Sequence, residues 1–289
     1  MARVMVTGAQ GLLGSSLVPA LTAAGHTVIA APGRRGVPPF DLARADDVLA
    51  WTWRAAPEVV VNLAALTDVD ACERDPHAAF VANTRIVEHL AAAVRAGAAG
   101  ALVHVSTDQV YDGAGPHRED AVTIRNTYAL SKYAGELAAL AVGATVLRTN
   151  FVGRSRTQAR TSLSDWLVDA LGRAEPISVF TNVLFSPLAI DSLVALVVQV
   201  IAARRSGIYN LGCRGGGSKA DFAFRLAQAR GLPVASMRRS ELEPGARPAR
   251  RPLDMRMDCA HFESTFGVTL PGFEAEIERV AAGYDAGTL

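Results

Sequence analysis

A tyrosine and a lysine four residues apart, Tyr128 and Lys132, have the residue types and the spacing of an acid–base pair. On a helix, positions four apart share one face, so the phenol and the ammonium can point into the same pocket. A free tyrosine has a pKa of about 10, and a neighbouring cation favours the phenolate, so we expect Lys132 to lower the pKa of Tyr128. Thr107, earlier in the chain, adds a hydroxyl to hold a substrate oxygen. These three residues are the predicted catalytic set.

A glycine motif near the start of the chain supports the catalytic interpretation of this pair. Support is needed because a Tyr-x-x-x-Lys pair alone also fits an ordinary helix surface. Gly8, Gly11 and Gly14 follow an apolar run and open an amphipathic segment. Glycines there permit a tight turn, close backbone approach to a pyrophosphate and close helix packing, while the helix N-terminus attracts phosphate. A dinucleotide site followed by the Thr107, Tyr128 and Lys132 set predicts hydride transfer.

The residues after the second predicted strand indicate which dinucleotide binds. NAD enzymes usually place an acid there to bind the ribose hydroxyls. This chain has Arg34 and Arg35 instead, and arginines can meet a 2′-phosphate. NADPH is therefore the predicted cofactor and NADH the less favoured one, with two solvated loop arginines as the alternative interpretation.

The elements that position these residues alternate along the first half of the chain, which predicts an α/β fold with a Rossmann-type, doubly wound parallel sheet. Gly25 is expected to end the first helix in a left-handed conformation. The predicted strands cover residues 4–6, 28–31, 59–61, 101–105 and 145–147. The predicted helices cover residues 12–24, 45–55, 76–96 and 126–141.

The alternation breaks down after about residue 150, which predicts a smaller C-terminal substrate-binding lobe. We expect a helix over 190–203, a strand over 207–212, a helix over 218–230 and an arginine- and proline-rich loop over 240–256. In the predicted domain division, residues 1–152 form the cofactor domain and 187–212 return to it. Residues 153–186 and 213–289 form the lobe.

Composition excludes several classes of function. With 29 basic and 28 acidic residues the net charge is +1, so no overall field favours nucleic acid or an anionic membrane. The apolar stretch 193–203 is far shorter than the roughly 20 residues of a membrane span. The three cysteines and six histidines lack the spacing of a metal site or of a disulfide framework, so no metal site is expected. The absence of a disulfide framework predicts a cytoplasmic location. His104 is expected to be a packed core residue.

Four further segments carry a resemblance to a known family. They are Asn-Leu-Ala-Ala-Leu-Thr-Asp-Val-Asp-Ala-Cys-Glu at 62–73, Ser-Thr-Asp-Gln-Val-Tyr-Asp-Gly at 106–113, residues 148–153 and residues 251–258. With the glycine motif, they resemble the extended short-chain dehydrogenase/reductases, and among these the dTDP-4-dehydrorhamnose reductase family. The resemblance covers nearly the whole chain. It departs from the family at Phe151, where tryptophan is common, and at residues 254–255, where Asn-Ser is usual.

The resemblance implies an NADPH-dependent reduction of a keto group on a nucleotide-activated deoxysugar, with a dTDP-4-keto-6-deoxyhexose as the expected substrate and a homodimer as a possible assembly. The implied cofactor-binding residues are Gly8, Gln10, Gly11, Leu12, Gly14, Arg34, Arg35, Asp41, Leu42, Ala64, Ala65, Leu66, Ser106, Tyr128 and Lys132. The implied substrate-binding residues are Thr107, Asp108, Phe151 and Arg251.

The sequence argues against one other activity of related proteins and leaves two alternatives open. Nucleotide-sugar 4,6-dehydratases resemble this chain but carry glutamate at the position of Gln109, and a neutral amide cannot act as a base. Epimerases, or ketoreductases acting on another sugar carbon, need only the catalytic set and a cofactor. A non-catalytic regulatory NADP-binding protein is a third alternative, because the regulatory subunit of methionine adenosyltransferase resembles the same family.

Overall fold

A sheet of parallel strands forms the centre of the protein, as the computed structural model shows for residues 1–32, 40–157, 160–243 and 245–285, which are the residues it describes. In chain order the strands are β1 Arg3–Thr7, β2 Thr27–Ala30, β3 Val59–Asn62, β4 Ala101–Thr107, β5 Thr145–Thr149, β6 Phe151–Val152, β7 Ile177–Phe180, β8 Leu184–Phe185, β9 Leu188–Ala189, β10 Gly207–Leu211, β11 Gly217–Ser218 and β12 Met237–Ser240. The central sheet has the order β2-β1-β3-β4-β5-β10, and each neighbouring pair is parallel.

Helices cover both faces of this sheet. In chain order they are α1 Gly14–Ala23, α2 Ala45–Ala55, α3 Val69–Arg74, α4 Pro76–Phe80, α5 Ile86–Arg95, α6 Thr127–Leu140, α7 Leu163–Gly172, α8 Ile190–Ala203, α9 Lys219–Ala229, α10 Ala260–Phe266 and α11 Phe273–Ala282. A π-helical turn, Val81–Arg85, joins α4 to α5, and a 3₁₀ turn, Asp108–Val110, follows β4.

Successive residues of the strands face opposite layers, as a sheet buried on both sides requires. Val4 and Val6 of β1 pack in one cluster with Leu17 of α1, whereas Met5 packs in the other cluster with Val48 of α2. Aliphatic side chains dominate both clusters, and aromatic rings such as Phe185 and Phe222 join the first and Phe40 the second. The predicted Rossmann-type doubly wound fold is therefore confirmed.

The sheet has its topological switch point between β1 and β3, because the chain passes from β1 to β2 on one side and then to β3 on the other. In open parallel sheets, ligands bind outside the carboxyl ends of the strands at this point. The turn at Gly8 follows β1, and residues 63–66 follow β3. The glycine motif thus lies where the fold places a cofactor.

The described elements agree with most of the predicted ones, whereas α7, α10, α11 and the short strands β6 to β9, β11 and β12 were not predicted. Two further differences lie close to the site. Helix α2 has the predicted bounds, α8 and β10 lie where they were expected, and Gly25 has the left-handed φ of 83°. The single helix predicted over 76–96 is instead α4, a π-helical turn and α5. Helix α3 was not predicted, although Asp68 caps it by accepting a hydrogen bond from the Ala71 amide at 2.9 Å.

None of the helices in the described part of the chain has the length and apolar character needed to cross a membrane.

Candidate active site

The glycine turn leaves no room for side chains on the protein side. Gly8 has a φ of 66°, and a Cβ added there would lie 2.9 Å from the backbone nitrogen of Ala64. A Cβ on Gly14 would lie 2.7 Å from the Cα of Ala9. Helix α1 has no side-chain cap and no acid in its first turn, so its amide groups and dipole can receive an anion. This cradle fits the pyrophosphate of a dinucleotide.

A row of buried polar side chains ties together the strand ends beside this turn. The Thr7 hydroxyl donates to Asn62 Oδ1 at 2.6 Å, and Asn62 Nδ2 donates to His104 Nδ1 at 3.0 Å. Burial, with Lys132 nearby, holds the pKa of His104 well below its usual value, so the ring is neutral. His104 is fully buried, as predicted for a core residue. The row fixes β1, β3 and β4 relative to each other.

Helix α6 carries the Tyr-x-x-x-Lys pair and is anchored at its first turn. The Asn126 side chain accepts from the Ala129 amide at 2.8 Å and donates to the Arg250 carbonyl at 2.9 Å. Further along the helix, Gly135 packs so closely on the carbonyl of Asn83 that a side chain would not fit. The position of α6 is therefore set by the π-helical turn and by the loop that contains Arg250.

The pair itself is deeply buried, since Tyr128 is 7% and Lys132 2% exposed. Lys132 Nζ donates to the Val105 carbonyl at 2.8 Å. Burial lowers the pKa of Lys132 to about 8, although the Glu136 carboxylate acts in the opposite direction. Burial also raises the pKa of Tyr128 above its usual value, and the Thr107 hydroxyl is the neighbour that lowers it.

The expected lowering of the Tyr128 pKa by Lys132 is not found. Spacing placed the two groups on one face of the helix, but the largest influence on the pKa of Tyr128 is desolvation of the phenol, which raises it. The result is a tyrosine that keeps its proton at neutral pH. Such a group suits the role of acid, which reduction of a ketone requires.

Asp108 extends this arrangement by one residue. Its carboxylate lies 3.4 Å from the Thr107 hydroxyl and accepts from Asn150 Nδ2 at 2.7 Å. Burial raises the pKa of Asp108 to about 6, against the opposing effects of Asn150, Lys219 and Thr107. A buried carboxylate with such a pKa is a common feature of functional sites.

One cavity of about 360 Å³ brings the glycine turn and the catalytic residues together. Its wall includes the following predicted site residues: Gly8, Gly11, Leu12, Gly14, Ala65, Ser106, Thr107, Asp108, Tyr128, Lys132 and Phe151. The Ser106 hydroxyl is bonded to Glu136. The cofactor motif and the proton-transfer residues therefore face one continuous space.

A second cavity of about 620 Å³ adjoins the first, since Gln109 belongs to both walls. Three cationic side chains, Lys219, Arg247 and Arg251, line it together with the rings of Trp166 and Phe180. Arg251 Nη2 pairs with Asp70 at 2.9 Å, whereas its buried Nη1 has no hydrogen-bond partner. This combination of cations and aromatic rings fits a nucleotide diphosphate.

Some predicted residues lie outside both cavity walls. Gln10 is exposed in the glycine turn, and the amides of Ala64 and Leu66 bond to Thr7 and Asn83 respectively. Asp41 and Leu42 precede α2, where the Leu42 carbonyl contacts His89 at 3.0 Å. Arg34 and Arg35 lie outside the described residues. The roles of these residues stay predictions.

Sequence reasoning missed four residues that the fold brings to the site. Asn83 donates to the Leu66 carbonyl and to Ser131 Oγ, both at 3.0 Å, and so links the loop after β3 to α6. Asn150 holds Asp108, Glu136 contacts Ser106, and Lys219 faces Asp108. One signal was available, because Lys132 and Lys219 are the only lysines in the sequence, while arginine supplies every other basic side chain.

The chain matches the RmlD substrate binding domain family over residues 2–285. A dTDP-4-dehydrorhamnose reductase from Sinorhizobium fredii is 32% identical over 268 residues, which cover 85% of this chain and 86% of that protein.

Solved structures show the same fold. A dTDP-4-dehydrorhamnose reductase from Bacillus anthracis in complex with NADP superposes with a TM-score of 0.88 at 24% identity, covering 96% of this chain and 98% of that one. A dTDP-glucose 4,6-dehydratase from Streptomyces venezuelae, with NAD bound, has a TM-score of 0.78 at 20% identity, covering 98% and 97%. Reductases and dehydratases thus share this fold, and site residues must separate them.

The sequence match spans almost all of the chain. Three of the four segments that carried the resemblance contribute residues to the first cavity, and residues 251–258 contribute Arg251 and Met255 to the second. The chain belongs to the RmlD family, the dTDP-4-dehydrorhamnose reductase-like group of the extended short-chain dehydrogenase/reductases.

Proposed function

We propose that the chain is an NADPH-dependent reductase that converts the keto group of a dTDP-4-keto-6-deoxyhexose to an alcohol. One observation carries the proposal: the cavity of about 360 Å³ places the glycine turn, Thr107, Tyr128 and Lys132 around one space. Its relatives named as dTDP-4-dehydrorhamnose reductases support the choice of substrate.

The chemistry divides between the cofactor and this chain's residues. Bound NADPH supplies a hydride to the ketone carbon. Tyr128 gives its proton to the ketone oxygen, which completes the alcohol, and its raised pKa keeps that proton available at neutral pH. The Thr107 hydroxyl orients the carbonyl. Lys132 Nζ donates one of its three N–H groups to the Val105 carbonyl, so two remain to bind the cofactor ribose.

The cofactor assignment is supported by the cradle at Gly8 and Gly14 and by the NADP complex of the Bacillus anthracis relative. Arg34 and Arg35 are the residues proposed to meet the 2′-phosphate. Gly11 carries no side chain on the cavity wall, which permits close approach of the pyrophosphate.

The substrate is proposed to span both cavities. The deoxysugar lies beside Tyr128 and Phe151, and the diphosphate lies among Lys219, Arg247 and Arg251, where charge-assisted hydrogen bonds are strong. Trp166 and Phe180 offer apolar surface to the base. The sugar-binding part is proposed to belong to residues 153–186 and 213–289, and a cytoplasmic location and a homodimer remain predictions.

Gln109 is the residue that favours reduction of the sugar over its dehydration. This side chain lies in both cavity walls, and its amide oxygen is buried without a partner. Removal of a sugar proton requires a base, and the amide cannot accept one at neutral pH.

The test is to mix the purified protein with NADPH and dTDP-4-keto-6-deoxyglucose and to follow the nicotinamide absorbance. We expect stoichiometric oxidation of NADPH and a dTDP-6-deoxyhexose with a hydroxyl at C4, identified by NMR. Tyr128→Phe is the matched control. No oxidation by the wild-type protein, with cofactor binding intact, would contradict the proposed reaction.

A further inference from the structure

A fully buried ion pair lies directly behind the catalytic helix. Arg148 on β5 donates to both oxygens of Glu136 on α6, with Nη2 to Oε2 at 2.6 Å, and the two side chains are 1% and 0% exposed. Arg148 also donates to the Tyr111 hydroxyl at 2.7 Å and to the Glu119 carbonyl at 2.6 Å. Each nitrogen of the guanidinium thus donates to a protein oxygen, which fixes the position of the pair.

Glu136 connects this pair to the two elements that carry the chemistry. It lies one helical turn after Lys132, on the same face of α6, and it accepts a hydrogen bond from Ser106, the residue before Thr107. Taking a buried ion pair out of water costs several kcal/mol per ion, so a pair retained at this place calls for a reason beyond stability.

We propose that Glu136 is a positioning residue that keeps the buried ammonium of Lys132 protonated and fixes the end of β4 through Ser106. Without a counterion, burial at 2% exposure drives the lysine toward its neutral form. Glu136 supplies the opposing charge, and Arg148 fixes the carboxylate in place. A neutral Lys132 would have fewer donors and no charge with which to hold the cofactor ribose.

The titratable and charged groups around Lys132 and its neighbours Tyr128 and Glu136 come from five elements. They are Tyr128 and Glu136 on α6, His104 on β4, Asp108 after β4, Arg148 on β5 and Cys72 on α3. His104 is neutral, and burial raises the pKa of Cys72 to about 11, so neither carries charge at pH 8. Among the carboxylates, Glu136 is the one that acts to raise the pKa of Lys132.

The test uses the fact that the chain has only two lysines, Lys132 and Lys219. Protein labelled with ¹³C at the lysine Cε carbons gives two side-chain signals, which Lys219→Arg assigns. Their chemical shifts are then followed against pH. The NMR titration does not depend on the proposed reaction. Only the role of the charged lysine in holding the cofactor rests on that reaction.

The decisive variant is Glu136→Gln, which removes the carboxylate charge and keeps the shape of the side chain. The pKa of Lys132 is expected to fall by about one pH unit or more. From a starting value of about 8, the protonated fraction at pH 8 would fall from about one half to about one tenth. The second variant is Glu136→Gln with Arg148→Met, because replacing a whole buried pair is often tolerated. Loss of the Arg148 charge acts on Lys132 in the opposite direction, so a smaller fall is expected.

Two controls separate charge from structure. Glu88→Gln removes a surface carboxylate from α5 and should leave both lysines unchanged. Glu136→Asp keeps the charge, so the pKa of Lys132 should stay nearer to the wild-type value than in Glu136→Gln. The alkaline limit of NADPH affinity should move to lower pH in step with the NMR titration.

An unchanged pKa of Lys132 in folded Glu136→Gln would overturn the proposal, as would a raised pKa of Lys132 in the double variant or an equal fall at Lys219. A wild-type protein that fails to reduce the keto sugar would remove the proposed reaction, while the NMR titration would still decide the role of Glu136.

Discussion

Replacing Asp108 with asparagine should stabilise the protein and weaken its activity. Asp108 is 1% exposed, and its bonds from Asn150 and Thr107 do not offset the loss of hydration. Its pKa is consequently raised from 3.8 to about 6. The carboxylate is thus kept in the site at the expense of stability, which is common where a protein places charge for function.

The size of this gain in stability, and the pH range in which it occurs, follow from the linkage between proton binding and folding. Because the folded protein binds this proton more tightly than the unfolded chain, stability falls as the pH rises from about 4 through 6. A difference of about two pKa units corresponds to about 3 kcal/mol above pH 6. Asp108→Asn abolishes the titration, so it should gain about that amount at pH 8 and little at pH 4. This corresponds to roughly 5 to 10 °C in Tm.

Thermal unfolding of wild type and variant between pH 4 and 8 measures this difference, and turnover is measured in parallel. Asp112→Asn is a matched control with the opposite sign. Burial pushes the pKa of Asp112 up, but bonds from the Leu253 amide and from Arg125 outweigh it and the net pKa is lowered. Asp112→Asn should therefore destabilise the protein at neutral pH, with the loss disappearing on acidification.

Equal unfolding temperatures of Asp108→Asn and wild type at both ends of the range would refute the reasoning, since they would show an Asp108 pKa near its ordinary value. A loss of stability at pH 8 would refute it more strongly, because the carboxylate would then be better satisfied than its burial indicates.

Three further changes test separate parts of the account. Tyr128→Phe should keep NADPH affinity and lower turnover by about 10² to 10⁴-fold, and normal turnover would remove the tyrosine from the mechanism. Lys219→Met should raise KM for the nucleotide sugar with little change in NADPH affinity, measured by steady-state kinetics and by fluorescence titration; an unchanged KM would place the diphosphate elsewhere. Replacing Arg34 and Arg35 with alanine should narrow the preference for NADPH by an amount of order 1.5 to 3 kcal/mol, and a wild-type protein that binds NADH equally well would contradict their role.

The local sequence pattern was sufficient to predict the main elements of the fold. The run Val4-Met5-Val6 is apolar at each position, and such a run predicts a strand buried on both faces, as β1 is. Gly8, Gly11 and Gly14 follow this strand directly, and that placement predicted a tight turn before α1. The predicted position of the cofactor cradle followed from these residues alone.

The π-helical turn could not be predicted from its own residues. Residues 76–96 have the periodicity of one helix, yet the turn places Asn83 against Leu66 and Ser131. Those partners come from a loop and from α6, so tertiary contacts decide the local conformation.

The electrostatics of the site were likewise beyond the sequence. Spacing showed that Tyr128 and Lys132 share a helix face, but the pKa of the tyrosine depends on how deeply the phenol is buried. Lys219 and Asp108 come from distant parts of the chain, and only the folded structure brings their charges together.

The most direct test of the central claim is product analysis with two substrates. Wild-type protein and NADPH are incubated with dTDP-4-keto-6-deoxyglucose, and wild-type protein and oxidised cofactor are incubated with dTDP-glucose. The account predicts a C4 alcohol from the first mixture and no loss of water in the second, because Gln109 cannot act as a base. Catalytic formation of a 4-keto-6-deoxy sugar in the second mixture, with no reduction in the first, would contradict it.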